Sequence, residues 1–224
     1  MISRLVTSAV FAGAASGLTV ALLQFAFVQP VLLHAELYET GQLVHFGGGI
    51  NIATPELPGF DLMRNGLSVL FTMMIYCGYA LILVAVMSMA DQSLVTPKAG
   101  MIWGLAGFVA AQLAPAISLP PEVPGVAAAD VQLRQIWWFA TVAMAAGAMW
   151  LLAFRFNMYG IAGAAALLLL PHIIGAPQPT QFEGPVPTEL GALFAARSLG
   201  VGLTAWVILG AFCAYFWHNE GKEA

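Results

Sequence analysis

Six apolar segments, each long enough to cross a lipid bilayer, are the feature that most constrains how this chain can fold. They are residues 5–33, 65–89, 99–117, 136–154, 158–174 and 191–217, of which the fifth is the shortest; the alternative is a five-span chain in which this segment is merged or excluded. A bilayer core is about 30 Å thick and needs roughly 20 helical residues to cross it. Charged residues make up only 8% of the chain, whereas soluble domains carry about 25%. The sequence therefore predicts an all-α polytopic transmembrane helix bundle of about six spans, in a single integral membrane domain over residues 1–224.

The amino-terminal segment resembles a secretory signal peptide, because Arg4 precedes an apolar run. That run extends from Leu5 to Val28, which exceeds the roughly 7–15 apolar residues of a signal peptide. It is long enough to span the bilayer. We therefore expect this segment to be retained as the first transmembrane helix.

The loops alternate between long and short, which predicts the orientation of the chain. The long loops lie at 34–64, 118–135 and 175–190, and the short loops at 90–98 and 155–157. Basic residues favour the cytoplasmic side of a membrane. Those on the short-loop side are Arg4, Lys98, Arg155 and Lys222, and those on the long-loop side are Arg64, Arg134 and Arg197. This bias of four against three, with an even number of spans, predicts cytoplasmic termini and long loops facing outward.

A short motif recurs in the three long loops. "PELPG" at 55–59 matches "PEVPG" at 121–125, and "GPVPTEL" at 184–190 is a looser copy. An arginine that enters the next helix follows each copy. This repeat predicts three tandem two-helix hairpins. The alternative is that Pro and Gly simply mark turns at the membrane surface.

The first helix of each predicted hairpin carries two further shared features. Each is expected to end near a proline, namely Pro30, Pro115 or Pro171. Each also has small residues in its first half, at 13–17, 100–104 and 160–163. Small residues allow helix backbones to approach closely in lipid, so we expect tight helix contacts at these positions.

No recognised catalytic motif is present. The sequence lacks the phosphate-binding G-x-x-x-x-G-K-[ST] loop, the H-E-x-x-H zinc motif and the G-x-S-x-G nucleophile motif. The four histidines are scattered through the chain. We therefore expect a protein that is not an enzyme and that has no resident cofactor.

Acidic and imidazole side chains are concentrated on the long-loop side. They are Glu36, Glu39, Glu56, Asp61, Glu122, Asp130, Glu183 and Glu189, with His34, His45 and His172. A surface of this kind attracts cations, although any loop also needs polar residues for solvation.

Three of the acids precede the arginines, and local ion pairs are expected there, with Asp130 four residues before Arg134. We therefore exclude Asp61, Asp130 and Glu189 as metal ligands.

The densest group of candidate ligands is "HAELYE" at 34–39. Glu36 and Glu39 share a helix face if the first helix continues, whereas His34 joins them only if the chain bends, for example at Pro30. The alternative is that these are ordinary interfacial residues. As a metal site, the group predicts His34, Glu36 and Glu39 as ligands.

His172 is the fourth predicted metal ligand. It follows Pro171, which frees a helix carbonyl by lacking an N–H. The imidazole can have a structural role, in which it caps that carbonyl by donating a hydrogen bond to it. Alternatively it can ligate a metal, because imidazole suits borderline divalent ions.

The sequence resembles the CbtA family of proposed cobalt transporter subunits. Four stretches carry the resemblance: "AELYE" at 35–39, "LPPEVPG" at 119–125, "RQIWWF" at 134–139, and "PHIIGAPQP" at 171–179 followed by "VPTEL". The resemblance implies a bacterial inner-membrane protein connected with cobalt supply for cobalamin. It also implies a small partner, CbtB, with one membrane span and a histidine-bearing tail.

Three functions follow from these observations. The first is a subunit that takes up Co²⁺, with Ni²⁺ as a further candidate ion, through capture on an acidic and histidine-bearing extracytoplasmic face. The second is a membrane scaffold or assembly subunit that transports nothing itself, since few ionisable residues lie deep in the apolar segments. The third is a membrane enzyme with a metal or haem at His172.

Overall fold

The computed structural model describes residues 2–45, 57–89 and 96–220. The chain is 79% helical, with no strand in the described ranges. In chain order the elements are α1 (Ile2–Leu23), a first π-helix (Gln24–Val28), α2 (Gln29–Glu39), α3 (Leu62–Met89), α4 (Pro97–Phe108), a second π-helix (Val109–Leu113), α5 (Ala114–Ala116), α6 (Val131–Phe154), α7 (Met158–Ile174) and α8 (Thr188–Glu220). Glu56, Lys222 and most of the predicted loop at 90–98 lie outside the described residues.

The prediction of a multi-pass helical membrane protein is confirmed. Five helical stretches are long and apolar enough to cross a membrane: Ile2–Glu39, Leu62–Met89, Pro97–Ala116, Val131–Phe154 and Thr188–Glu220. Helix α7 is a shorter apolar helix of 17 residues, which corresponds to about 25 Å at 1.5 Å per residue. Its bounds coincide with those of the fifth predicted segment, which is therefore a separate helix.

The predicted end of the first helix is wrong. The helical stretch runs to Glu39 and passes through Pro30, whereas the sequence predicted an end at residue 33, near that proline. A proline has no N–H and its ring displaces the carbonyl four residues earlier. The first π-helix lies directly before α2, and the wider π turn accommodates this disturbance without ending the helix. Pro115 also follows a π-helix, but α5 ends one residue later.

The structure has two compact units. Unit 1 consists of residues 1–26, 59–108 and 200–224, and unit 2 of residues 27–58 and 109–199. In unit 2, α6 packs against α7 and against the second π-helix. Alanines 110, 114 and 145 form a buried cluster there, against which Leu168 packs.

Close backbone contacts between helices hold unit 1 together. A Cβ atom on Gly13 or Gly17 would overlap the backbone of Cys77 or Met73 on α3. A Cβ atom on Gly100 would overlap the carbonyl oxygen of Gly210 on α8. The close approach that small residues predicted is therefore confirmed in α1 and α4. In α7, Gly160 instead faces the Arg155 carbonyl at the amino-terminal turn of the helix, whereas a Cβ atom on Gly163 would lie 3.3 Å from Cδ1 of Leu151 on α6.

The two ends of the chain also meet in unit 1. The Arg4 guanidinium lies 4.1 Å from the centroid of the Trp217 ring. Its Nε also donates a 3.1 Å hydrogen bond to the Trp217 carbonyl. Both contacts favour a cation, since the last carbonyls of a helix carry partial negative charge.

We expect Gly13→Leu to destabilise unit 1, because the new side chain meets backbone atoms of α3 that no rotamer change can move. Overpacking of this kind costs about 1–3 kcal/mol. The measurement is thermal unfolding of the detergent-purified protein, followed by near-ultraviolet circular dichroism. Gly78→Leu is the matched control, since a Cβ atom at Gly78 meets nothing within 4 Å. Equal melting temperatures for the two variants would contradict the packing assigned to Gly13.

Candidate functional site

Three of the sequence motifs meet in one apolar cluster in unit 2. Its buried members are Ala35 from "AELYE", Val123 from "PEVPG" and Val186 from "GPVPTEL". Half-buried side chains that pack against them are Tyr38, Val126, Leu190 and Phe194. We call the surface formed by residues 35–39, 119–126 and 183–190 the cap. Residues from these three motifs therefore pack together in one buried cluster.

Two glycines allow the segments of the cap to approach each other. Gly125 has a φ of +81°, in the left-handed region, and a Cβ atom there would lie 3.2 Å from Cβ of Glu39. A Cβ atom on Gly184 would lie 3.0 Å from the carbonyl oxygen of Gly125. The N–H of Ala127 donates a 2.9 Å hydrogen bond to the carbonyl of Glu183. The stem of Glu39 thus rests directly on the glycine of the "PEVPG" motif.

The predicted ion pair between Asp130 and Arg134 is wrong. Arg134 donates a 2.6 Å hydrogen bond to Oε2 of Glu122 and forms a salt bridge with it. Asp130 instead caps α6, where its Oδ1 accepts a 3.0 Å hydrogen bond from the N–H of Leu133. An N-cap carboxylate satisfies a backbone donor that has no partner inside the helix. The carboxylate of Glu122 is consequently engaged in a salt bridge with Arg134.

The other two arginines do not form the expected local pairs either. Asp61 Oδ1 accepts a 2.9 Å hydrogen bond from the backbone N–H of Arg64, as the carboxylate of Asp130 does at α6. Arg197 donates through Nη1 to the carbonyl of Phe27, at 3.1 Å. Among the residues that the structure describes, Arg134–Glu122 is the one salt bridge. The arginines therefore bind mainly to backbone oxygens.

The three predicted ligands of "HAELYE" lie on α2. The helix is regular to its last residue, so the bend that would bring His34 towards the two glutamates is absent from α2. His34 and Glu39 are exposed and Glu36 is half-buried. The His34 ring instead lies against Tyr38, with 5.7 Å between ring centroids. Glu36 and Glu39 keep the shared-face spacing of three residues.

His172, the fourth predicted ligand, is half-buried in the last turn of α7. Its Nδ1 lies 2.7 Å from Oγ of Ser118, a partner that sequence reasoning did not find. Its ring makes a T-shaped contact with the ring of Trp137. The carbonyl of Pro171 accepts hydrogen bonds from Trp137 Nε1 and from the Gly175 N–H. The imidazole nitrogen thus bonds to a hydroxyl and not to a helix carbonyl.

The four predicted ligands do not form one closed metal site. In the ranges 2–45, 57–89 and 96–220, no three His, Cys, Asp or Glu side chains are grouped so that they could hold a metal ion. The carboxylates of α2 and the imidazole of His172 are therefore separate positions in unit 2. Among the described residues, an ion at either position therefore has at most two His, Cys, Asp or Glu side chains as ligands.

A comparison with known families identifies the chain. The family model described as "Probable cobalt transporter subunit (CbtA)" matches residues 2–218. The chain belongs to the CbtA family. No curated protein and no solved structure matches it. The resemblance drawn from the four motifs is confirmed, and the CbtA match covers all the residues of the cap.

The cap of this CbtA protein was only partly visible in the sequence. The recurrence of Pro, Glu and Gly in the loops marked "PEVPG" as special, and a glycine after two prolines indicated a turn. Nothing local linked that loop to Glu39, because the contact is made by chain segments far apart in sequence. Ser118 carried no signal, since it lies 54 residues from His172.

We expect Gly125→Ala to loosen the cap of this CbtA protein. The change forces a side chain into the left-handed region, at a cost of about 1–2 kcal/mol, and pushes on the stem of Glu39. The measurement is the rate of limited proteolysis in the cap loops of the purified protein. Gly191→Ala is the control, because a Cβ atom at Gly191 meets nothing within 4 Å. Unchanged proteolysis in Gly125→Ala would contradict the packing described for the cap.

Proposed function

We propose that this chain is the membrane subunit of a Co²⁺ uptake transporter, and that an acidic and histidine-bearing face, which includes the cap, captures the ion on the extracytoplasmic side. The match of the CbtA family over residues 2–218 is the observation that carries the proposal. The cap adds a chemical reason, because Glu36 and Glu39 belong to "AELYE", one of the four stretches that carry the family resemblance. Carboxylates and imidazoles are suitable ligands for a borderline divalent ion.

The proposed ligands are His34, Glu36 and Glu39 on α2 and His172 on α7. Within the described part of the chain no three candidate ligands are grouped, so each position binds weakly and keeps water on the ion. Weak binding suits a transporter, since an ion that enters must also leave. A closed site with three or four protein ligands would hold the ion as a structural metal does. Weak binding at these separate positions therefore favours transfer of the ion over its storage in the protein.

The membrane potential is sufficient to drive this uptake. Each charge that moves inward gains about 2.3 kcal/mol per 100 mV, so a divalent ion gains about 4.6 kcal/mol. At about 1.4 kcal/mol per decade, this supports a roughly thousandfold accumulation. The sequence contains no phosphate-binding loop for ATP. We therefore propose uptake without ATP hydrolysis by this chain, with Ni²⁺ as a second candidate ion.

A partner completes the proposal. The family description calls its members subunits, and we propose a small single-span CbtB-like protein as the partner. We also propose that the complex lies in the bacterial inner membrane. The chain itself is proposed to be without enzymatic activity, since the resemblance and the missing catalytic motifs both favour a transport role.

A non-transporting scaffold is the second candidate function. It is favoured by the absence of a three-ligand metal group from the described residues. It is also favoured by the scarcity of ionisable side chains within the membrane spans, because ion paths commonly use such residues. The scaffold predicts that cobalt uptake requires the chain but is insensitive to the proposed ligands. It further predicts no Co²⁺ flux into liposomes that contain the chain alone.

We expect a membrane-impermeant maleimide to label Thr180→Cys in intact cells and Phe156→Cys only after lysis. The two positions flank α7 and are exposed, and the proposed orientation places Thr180 outside. Both substitutions are made after Cys77→Ala and Cys213→Ala, so that the native thiols do not react. The measurement is the mass shift of the purified protein. Labelling of Phe156→Cys but not Thr180→Cys in intact cells would reverse the orientation and remove extracytoplasmic capture.

We expect His172→Ala and Glu39→Gln each to lower the initial rate of Co²⁺ uptake roughly tenfold at limiting Co²⁺. Glutamine keeps the stem that packs on Gly125, so that change removes the charge without removing the contact. The measurement is accumulation of radioactive cobalt in cells that produce the chain and its partner at matched membrane levels. Glu220→Gln at the end of α8 is the control and should transport normally. Normal uptake in both ligand variants would favour the scaffold.

A further inference from the structure

Two segments of unit 2 contact the imidazole of His172, which lies on α7. Its Nδ1 lies 2.7 Å from Ser118 Oγ, in the loop that follows α5. The ring of Trp137 on α6 makes a T-shaped contact with the imidazole, at a centroid distance of 5.9 Å and an interplanar angle of 64°. Trp137 is fixed in turn, because its Nε1–H donates a 3.2 Å hydrogen bond to the carbonyl of Pro171. The orientation of the imidazole is therefore determined by the fold.

The backbone of Ser118 is anchored on both sides. Its N–H donates a 3.3 Å hydrogen bond to the carbonyl of Pro115. Its carbonyl accepts a 3.5 Å hydrogen bond from Nε2 of Gln178. Gln178 belongs to the same "PHIIGAPQP" stretch as His172. Two contacts thus join the serine to this stretch, and loss of the hydroxyl alone leaves the backbone contact in place.

Two proton arrangements are compatible with the contact between Ser118 and His172. In the first, Nδ1–H donates to Ser118 Oγ, and Nε2 keeps a free lone pair. In the second, the hydroxyl donates to Nδ1, and Nε2 carries the proton. Only a deprotonated ring nitrogen can ligate a metal ion. Ligating imidazoles commonly donate their other N–H to a neighbouring oxygen, which fixes the tautomer and the ring orientation.

We infer that Ser118 is a positioning residue: it accepts a hydrogen bond from Nδ1–H of His172 and presents Nε2 to a divalent cation. This inference rests on the proposed function, in which His172 meets Co²⁺. Ser118 does not touch the ion and acts only through the ring. The half-buried imidazole leaves part of its surface accessible, which a passing hydrated ion requires.

The test uses the full chain purified in detergent and the metal ion alone. Diethyl pyrocarbonate modifies an imidazole at a free nitrogen, and bound Co²⁺ protects that nitrogen. Mass spectrometry gives the extent of modification at each histidine as Co²⁺ is increased. We expect protection of His172, and a Co²⁺ concentration for half-protection that rises about tenfold in Ser118→Ala. Ser118→Thr keeps the hydroxyl and should restore the wild-type value.

His218, at the end of α8, is the internal control, and its reactivity should not depend on either substitution. The absence of Co²⁺ protection at His172 in the wild type would overturn the inference. So would the same half-protection concentration in Ser118→Ala and the wild type. If Ser118→Ala fails to fold, Ser118→Cys, which offers a weaker acceptor of similar size, should give an intermediate value. Equality of that value with the wild type would also overturn it.

A second measurement reports the proton directly. In the metal-free chain labelled with ¹⁵N-histidine, the His172 signals are assigned by their loss in His172→Gln. We expect the tautomer with the proton on Nδ1 in the wild type and a shift towards Nε2 in Ser118→Ala. The Nε2–H tautomer in the wild type would overturn the inference. Cobalt uptake separates the two proposals: loss in His172→Ala with normal uptake in Ser118→Ala keeps the function and removes the positioning role.

Discussion

The bilayer supplies no water to bond with a backbone N–H or C=O group, and the rest of the structure depends on this constraint. Each such group must find its partner inside the protein. Helices satisfy this requirement along their length, but the prolines of this chain interrupt it. The two π-helices, Gln24–Val28 and Val109–Leu113, occur shortly before Pro30 and Pro115. Their wider turns change which carbonyls are bonded, so that the first helical stretch continues past Pro30 to Glu39, whereas α5 ends one residue after Pro115.

The cap obeys a different rule, because its segments are loops and helix ends. Loops have backbone N–H and C=O groups with no helical partner. Here glycine permits backbone conformations in which such groups bond to one another, and side chains bond to others. Gly125 adopts a left-handed conformation, and the Ala127 N–H bonds to the loop that contains Glu183. The carboxylate of Asp130 bonds to the first turn of α6. The cap is thus built from motifs that also carry the family resemblance. These motifs pack the cap together, and two of the proposed metal ligands belong to one of them.

What the sequence could predict was set by the range of the interactions involved. The bounds of α7 were predictable, since Asn157 caps its start through the Gly160 N–H and Gly175 ends it with a φ of +91°. Those signals lie within a few residues of the helix. The continuation of the first helix past Pro30 was not predictable, because a π-helix has no residue signature of its own.

The candidate site shows the same limit. Spacing alone suggested an ion pair between Asp130 and Arg134. The Asp130 carboxylate instead accepts a hydrogen bond from the first turn of α6, and Arg134 forms its salt bridge with Glu122, twelve residues earlier. The grouping of Glu36 with Glu39 followed from helix geometry and remains a prediction as a metal site. Ser118 could not be found, because its meeting with His172 is produced by folding and not by local pattern. Composition and motifs thus indicate the class of protein, while long-range contacts determine which side chains meet.

The contact of Arg4 with Trp217 has a consequence for biogenesis. A ribosome releases the first residues of this chain long before it reaches the last helix. Unit 1 draws on both ends, so α1 enters the bilayer while part of its eventual surroundings is still unsynthesised. The last turn of α8 must therefore join helices that are already inserted, and unit 1 is completed only after α8 has been synthesised.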